Sequence, residues 1–339
     1  MSSESLVRPA SQATGKSLIV KFVIQRELLL IAVSVGISLI LGALHPDFLS
    51  ISNLDFILLN AVVLGLISIG QTFVIISKGI DLSVAPIMGL TALVTGLMSV
   101  NQGLPLWAAI LLAIAIGAIL GAVNGVFISF AHIPPIIVTL GTLSIYGGFM
   151  FLYSNGVQVT SVPPAYAAFG NGLILPGVPF PVLLLALFTL LGWFVLKYTP
   201  FGRKVYAIGN NQESAHNAGI PVRKILFLVY VLCGALAGFA GLVYISYTAA
   251  ATATTGVAEN VELQSVAAVL IGGTLITGGQ GSVVGSVIGS IFLTLLLAVF
   301  VFLRIPAIWD PAGEGLLILL AVILNIMLIS RHTGTATEE

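Results

Sequence analysis

Residues 198–224 read YTPFGRKVYAIGNNQESAHNAGIPVRK and form a polar, basic stretch between two long apolar segments. Its basic residues are Arg203, Lys204, Arg223 and Lys224, preceded directly by Lys197. Because most of the chain around it is apolar, this stretch decides how the apolar segments divide into membrane spans before and after it. A structured basic loop held outside lipid also indicates contact with a partner.

The composition of the chain is that of a membrane protein. Of its 339 residues, 58% are hydrophobic and 7% are charged, whereas a soluble domain has about 25% charged residues. The formal net charge is zero, so the charge balance implies no nucleic-acid partner. The single cysteine, Cys233, cannot form an intrachain disulfide. The histidines show no metal-ligand spacing and no nucleophile–base pair is discernible, so we expect neither a metal site nor a catalytic residue.

Ten apolar segments are candidates to cross a bilayer as helices, which takes about 20 residues each. They lie at roughly 28–44, 54–77, 82–100, 105–130, 135–152, 179–197, 224–248, 263–277, 283–303 and 314–330. This pattern predicts an all-α polytopic membrane protein with about ten transmembrane helices. The segment 263–277 is short, and it and the region 78–83 are candidates for broken or re-entrant helices, which need protein or water to satisfy their backbone.

The distribution of Lys and Arg predicts the orientation, because loops rich in these residues stay in the cytoplasm. The segment 1–27 carries four basic residues and 197–224 carries five, whereas the loop 153–178 carries no charge. Six predicted spans separate the two basic regions, and this even number allows both to be cytoplasmic. The predicted domains are a cytoplasmic tail at 1–27, a transmembrane domain at 28–330 with a cytoplasmic loop at 198–223, and a cytoplasmic tail at 331–339.

Glycines recur at every fourth residue in or beside three spans, a spacing that lets transmembrane helices approach closely. They are Gly117, Gly121 and Gly125; Gly234 and Gly238; and Gly281, Gly285 and Gly289. We interpret these rows as packing faces, with moving helix contacts as the alternative.

The basic loop also encodes a short helix. In Asn210-Asn211-Gln212-Glu213 a capping amide precedes a glutamate by three residues, which is close to a capping box. Gly219 fits a left-handed C-terminal position, and Pro221 ends the helix. A helix of about two turns is too short to be stable alone in water, so docking on another surface would have to stabilise it. Before it, Phe201-Gly202-Arg203 forms an apolar–basic elbow suited to the membrane surface.

The stretch Lys78-Gly79-Ile80-Asp81-Leu82-Ser83-Val84 holds the one opposite-charge pair at membrane level. Lys78 and Asp81 are three residues apart and would share a face on a helix. Two interpretations stay open. In the first, both residues lie at the cytoplasmic end of the second span and Asp81 or Ser83 caps the next helix. In the second, the stretch is a functional break that lines a gate, because a charge at this depth needs a partner or water.

Several polar residues lie within the predicted spans, namely Asn60, Gln71, Asn124, Thr139, Thr142 and Gln264. Asn60, Gln71, Asn124 and Gln264 are candidates to line a translocation path. The alternative is that each connects helices through hydrogen bonds.

Four stretches resemble the membrane permease subunits of bacterial ABC importers for ribose, xylose, arabinose and related sugars. They are GQTFVIISKGIDLSVAP (70–86), PPIIVTLGTLSIYGG (134–148), TPFGRKVYAIGNNQESAHNAGI (199–220) and VAAVLIGGTLITGGQGSVVGSVIG (266–289). The resemblance covers essentially the whole chain after residue 27. It implies a vitamin-B12-importer-like (type II) ABC permease fold in the bacterial inner membrane, usually paired with a second permease copy. It also implies ATPase subunits that bind ATP and magnesium, a periplasmic sugar-binding protein, and no cofactor in this chain.

In that family the loop that matches residues 199–220 contains a coupling helix that docks on the ATPase. The positions carried over are Asn210, Asn211, Glu213, Ser214, Ala215, Asn217 and Gly219, with Arg203 in the same loop. The signature or gate positions are Gly79, Asp81 and Ser83. Two departures stand out: Ala85-Pro86 follow GIDLSV where a glycine is usual, and FLRIPAIWDPAGEG (302–315) is closer to the autoinducer-2 branch.

These observations predict a transport subunit and not an enzyme. It would import a monosaccharide, such as a ribose-like pentose or a hexose, driven by separate ATPases. Autoinducer-2 or a polyol is the alternative substrate, and a branched-chain amino acid permease is a rival in the same class. Alternatives from other classes are an ATP-independent secondary transporter or channel, which the lack of a chain of intramembrane carboxylates disfavours, and a membrane scaffold that transports nothing.

Overall fold

A computed structural model describes residues 13–309 except 176, together with 312–313, 315–316, 319–320 and 323. The helices of this described part are α1 (Ala13–Leu44), α2 (Ile51–Ile76), α3 (Val84–Gln102), α4 (Leu106–Ser129), α5 (Pro135–Ser154), α6 (Pro164–Asn171), α7 (Phe180–Tyr198), α8 (Pro200–Asn210), α9 (Gln212–Asn217), α10 (Val222–Thr248), α11 (Val261–Ile271) and α12 (Val283–Phe302). Short 3-10 helices lie at Pro46–Leu49 and Ala307–Trp309. The strands β1 (Leu173–Leu175) and β2 (Val178–Pro179) form a small antiparallel hairpin.

Eight helices of the described part are long and apolar enough to cross a membrane. They are α1 from Glu27 onward, α2, α3, α4, α5, α7, α10 and α12, and they correspond to eight of the ten predicted spans. The all-helical polytopic class is therefore confirmed, with ten as an approximate count. Helix α1 begins at Ala13, so it extends into the segment 1–27 that we predict as a tail. The tenth predicted span, 314–330, lies largely outside the described residues, and the predicted tail 331–339 lies wholly outside them.

The predicted span 263–277 is not a continuous helix. Helix α11 has 11 residues and ends at Ile271, which is too short to cross a bilayer. Residues 272–282 then follow a path of turns in which Gly273, Gly278 and Gly279 have positive φ, at 99°, 79° and 76°. Glycine adopts a positive φ at little cost, whereas other residues would be strained by it. Because helical residues have negative φ, a helix cannot continue through Gly273.

The centre of the fold is built around α2 and α10. The second half of α2 is buried continuously from Ala61 to Ile76, and α10 packs against α4, α2 and α3. The contact between α4 and α10 uses the predicted glycine rows. A Cβ on Gly121 would lie 3.1 Å from the Cα of Gly234, and one on Gly238 would lie 3.0 Å from the Cα of Gly117. The interpretation of these glycines as packing faces is confirmed.

The third glycine row packs α12 against the end of α11. A Cβ on Gly289 would lie 3.0 Å from the amide nitrogen of Gly272. The outer surfaces of the peripheral helices carry large apolar side chains. Leu111 on α4, Leu152 on α5 and Leu190 on α7 are all more than half exposed. So wide an apolar surface suits lipid as its solvent.

Candidate functional site

The basic stretch 198–224 folds into two helices, α8 and α9. The side chain of Thr199 caps α8 by accepting a hydrogen bond from the amide of Gly202 at 3.3 Å. The side chain of Asn211 caps α9 by accepting one from the amide of Ser214 at 2.8 Å. The predicted cap, Asn210, is therefore wrong by one residue, because α8 continues through Asn210. Gly219 has φ +80°, as predicted for the residue that follows the helix.

Helix α8 was not predicted, since that part of the loop is interpreted as an elbow. Thr199 and Pro200 give the missed signal, because Thr is a good N-cap and Pro fits the first helical position. Val205 and Ile208 are three residues apart and almost fully buried, at 0% and 1% exposure. They attach one face of α8 to the membrane domain.

Helix α9 is attached through Ala215, which is buried, while the other predicted coupling residues in it face outward. Glu213, Ser214 and Asn217 are exposed. Beside them lies a hollow of about 380 Å³ lined by His132, Gln212, Glu213, His216, Val222 and Arg223. Arg203 is also exposed, and its guanidinium donates to the carbonyl of Tyr198 at 3.4 Å. The loop thus presents a polar, charged surface away from the membrane domain.

The C-terminal end of α8 sits directly on the ends of two spans. The ammonium of Lys78 donates to the carbonyl of Asn210 at 3.1 Å, and the hydroxyl of Tyr206 donates to the carbonyl of Gly281 at 2.8 Å. A Cβ on Gly209 would collide with the carbonyl of Ile76. That same carbonyl accepts a hydrogen bond from the amide of Gly279 at 2.9 Å. The end of α2, the end of α8 and the turns before α12 therefore meet at one junction.

The stretch 77–83 is a non-helical break between α2 and α3. Asp81 is completely buried, and its Oδ1 accepts hydrogen bonds from the amide of Ser83 at 2.9 Å and from its hydroxyl at 2.6 Å. The side-chain amide of Asn124 on α4 donates to the Ser83 hydroxyl at 2.7 Å. Burial raises the pKa of the Asp81 carboxyl to about 6, while the hydrogen bonds from Ser83 lower it. Gly79 leaves room for the hydroxyl of Tyr230, which a Cβ there would meet.

The predicted pairing of Lys78 with Asp81 is wrong. The two residues would share a face only on a helix, and Lys78 instead has φ +68°. Its side chain turns out to Asn210 while Asp81 turns inward. The predicted capping role of Asp81 or Ser83 is also absent in the described residues: Ser83 precedes α3 but makes no side-chain cap hydrogen bond.

The four candidate path residues separate into two pairs. Gln71 and Asn124 are completely buried close to the break, and the thiol of Cys233 donates to Oε1 of Gln71 at 3.8 Å. Asn60 and Gln264 instead line a cavity of about 460 Å³. Asn60 precedes the end of α2 by 16 residues, or about 24 Å along the helix axis. The cavity therefore lies at the end of the molecule opposite the α8–α9 surface, and we call it the outer cavity.

One wall of the outer cavity is polar. The side-chain amide of Gln264 donates to the carbonyl of Glu259 at 2.7 Å, and the hydroxyl of Tyr244 donates to the Glu259 carboxylate at 3.4 Å. Asn60 accepts a hydrogen bond from the hydroxyl of Tyr247 at 2.9 Å. Sequence reasoning found Asn60 and Gln264 as polar residues in spans, but it did not connect them to Glu259, which lies in a loop.

The fold is a helical membrane domain with a polar helical surface at one end and a partly polar cavity at the other, and the family comparison assigns it to the class of membrane permeases. The chain belongs to the family described as "Branched-chain amino acid transport system / permease component", whose model matches residues 53–327. No solved structure matches the chain.

Curated relatives cover most of the chain. It is 37% identical to a ribose import permease protein of Bacillus subtilis, over 85% of this chain and 88% of that protein. It is 33% identical to the ribose import permease protein of Haemophilus influenzae, over 84% and 88%. It is also 33% identical to an autoinducer 2 import system permease protein of an Enterobacter species, over 86% and 85%. The predicted resemblance to sugar importer permeases is confirmed.

Proposed function

We propose that this chain is the membrane-spanning permease subunit of an ATP-binding-cassette importer that moves a monosaccharide across the bacterial inner membrane. One observation carries the proposal: the exposed helix α9 is joined through α8 to the ends of α2 and of the segment before α12. A partner that moves α8 would therefore move the ends of two spans. The relatives named for ribose import suggest the substrate class.

The partner is an ATPase that binds ATP and magnesium, and this chain supplies the surface on which it docks. A helix of six residues is too short to persist alone, and its exposed polar residues gain stabilisation when a partner covers them. The exposed residues that would contact the ATPase are Arg203, Glu213, Ser214 and Asn217. In this arrangement the α8–α9 surface and both termini face the cytoplasm, and the outer cavity faces the periplasm.

Two further partners complete the transporter. A periplasmic binding protein delivers the sugar to the end that carries the outer cavity, and a second permease copy in the lipid bilayer encloses the path. Specificity then resides partly in the binding protein. The autoinducer-2 permeases are similarly related to this chain, so autoinducer-2 is the alternative substrate.

The proposal is tested by measuring sugar uptake into proteoliposomes that contain this chain, its ATPase and its binding protein. With radiolabelled ribose, uptake should require both ATP and the binding protein. Uptake that proceeds in vesicles of the chain alone would instead identify a secondary transporter or channel. ATP-dependent uptake of leucine without ribose uptake would identify an amino acid permease.

A further inference from the structure

Glu259 stands out in the outer cavity because its carboxylate is held in place by the protein and yet reaches solvent. One carboxylate oxygen accepts a hydrogen bond from the amide of Gly256, and the other accepts from the hydroxyl of Tyr244. The side chain is nevertheless exposed. A carboxylate has about four acceptor positions, so two contacts leave capacity for hydroxyl groups of a ligand.

The wall beside Glu259 is rigid and offers complementary groups. Asn60 is fixed by donating to the carbonyl of Phe56 at 2.8 Å and by accepting from Tyr247. The rings of Tyr244 and Tyr247 pack edge to face with centroids 5.6 Å apart. Amide, carboxylate and aromatic groups together suit a sugar, which has hydroxyl groups on its edges and apolar C–H faces. The volume of about 460 Å³ lies in the range of small-molecule sites.

The charge of the cavity favours one class of solute over another. Among the described residues that line it, Glu259 is the one charged side chain, and no Lys, Arg or His contributes. A solute with a net negative charge, such as ribonate, the carboxylate formed by oxidising ribose, would meet a like charge and find no cation to pair with it. A neutral polyol would donate hydroxyl hydrogens to the same carboxylate, in bonds that are stronger because the acceptor is charged.

We infer that Glu259, with Asn60, Tyr244 and Gln264, forms a subsite in the outer cavity that binds neutral polyhydroxylated solutes and rejects anionic ones. The inference rests on the proposed function for its substrate class. It adds that the permease itself, and not the binding protein alone, contributes to selectivity. Affinity is weak, on the order of millimolar, because a solute that must pass through cannot be held tightly.

The single native cysteine makes a direct test possible. Cys233 is completely buried, so it should not react with a membrane-impermeant thiol reagent. Ala258→Cys adds an exposed thiol in the lining of the cavity without altering the proposed subsite. Thr254→Cys adds an exposed thiol on the same connection but outside the lining, and it serves as the matched control. The reaction rate of each purified variant is measured with increasing ribose or ribonate.

Ribose should slow modification of Ala258→Cys and not of Thr254→Cys, and ribonate should slow neither. Adding Glu259→Gln should raise the ribose concentration needed for protection by about tenfold, the loss expected for one charge-assisted hydrogen bond. Glu259→Asp, which keeps the charge, should keep the rejection of ribonate. Equal protection by ribonate and ribose, or no protection by ribose, would overturn the inference.

The labelling test needs no ATPase, so its outcome is separate from that of the uptake experiment. Protection by ribose without ATP-driven uptake would leave the subsite standing and contradict the proposed function. ATP-driven ribose uptake without protection at Ala258→Cys would support the proposed function and contradict the subsite.

Discussion

The ammonium group of Lys78 donates a hydrogen bond to the backbone carbonyl of Asn210 at 3.1 Å, across 132 positions of sequence. Lys78 is the second residue of the break between α2 and α3, and Asn210 ends α8 next to the cap of α9. The contact therefore joins the surface on which we propose an ATPase docks to the buried stretch that holds Asp81. A displacement of α8 would therefore reach this break through Lys78.

Replacing Lys78 with Met should weaken this connection while leaving the docking surface intact. The hydrogen bond is at an exposed site, where such contacts contribute about 0.5–1 kcal/mol. We expect ribose-stimulated ATP hydrolysis in the reconstituted transporter to fall about twofold to fivefold, with binding of the ATPase unchanged. Lys204→Met removes one lysine charge from α8 without removing this contact and is the control. Equal loss in both variants would show that charge alone, and not the contact, matters.

The exposed face of α9 should determine assembly with the ATPase. Glu213→Ala and Asn217→Ala remove side chains that make no contact needed to fold α9, since Ala215 attaches it and Asn211 caps it. We expect co-purification of the ATPase to decrease in each variant and to be lost in the double variant. The permease itself should keep its thermal stability. Asn101→Ala, at an exposed position at the far end of α3, is the control. Undiminished co-purification would contradict the proposed docking surface.

The contact between α4 and α10 should tolerate no Cβ at its centre. Gly121→Ala would bring a methyl group against the carbonyl of Tyr230 and within 3.1 Å of the Cα of Gly234, so the helices must separate. The expected loss of stability is about 1–3 kcal/mol, visible as a lower unfolding temperature in detergent. Gly141→Ala on α5 meets nothing within 4 Å and is the matched control. It should be neutral or stabilising, because Ala favours helix over Gly by about 1 kcal/mol.

The sequence could predict what depends on local pattern and composition. Eight spans, the glycine rows and the left-handed Gly219 all follow from such signals. The pairing of Lys78 with Asp81 failed because it assumed a helix through residues 78–83, where Lys78 instead adopts φ +68°. The contacts of Lys78 with Asn210 and of Ser83 with Asn124 join residues distant in sequence. Only the packing of the folded chain brings them together, so no local pattern contains them.

The buried carboxyl of Asp81 should make stability depend on pH. Burial raises its pKa from 3.8 to about 6 in the folded protein, so the folded state holds the proton more tightly than the unfolded state. Protonation therefore stabilises the fold, and this stabilisation declines as the pH rises from about 4 through 6. A shift of about two units corresponds to about 3 kcal/mol at most. In Asp81→Asn the uncharged amide can still accept from Ser83, and the dependence of unfolding temperature on pH over this window should become smaller.

Ser83→Ala tests the same carboxyl by changing its pKa in place of removing it. The hydrogen bonds from Ser83 lower the pKa of Asp81, and the hydroxyl supplies one of them at 2.6 Å. Without that hydroxyl the pKa should rise further, so the decline in stability should become larger and extend to higher pH, whereas in Asp81→Asn it should become smaller. Unfolding temperatures measured from pH 4 to pH 8, a range chosen to bracket a pKa of about 6, distinguish the two variants. A decline that is undiminished in Asp81→Asn would assign it to another group and remove Asp81 as its cause.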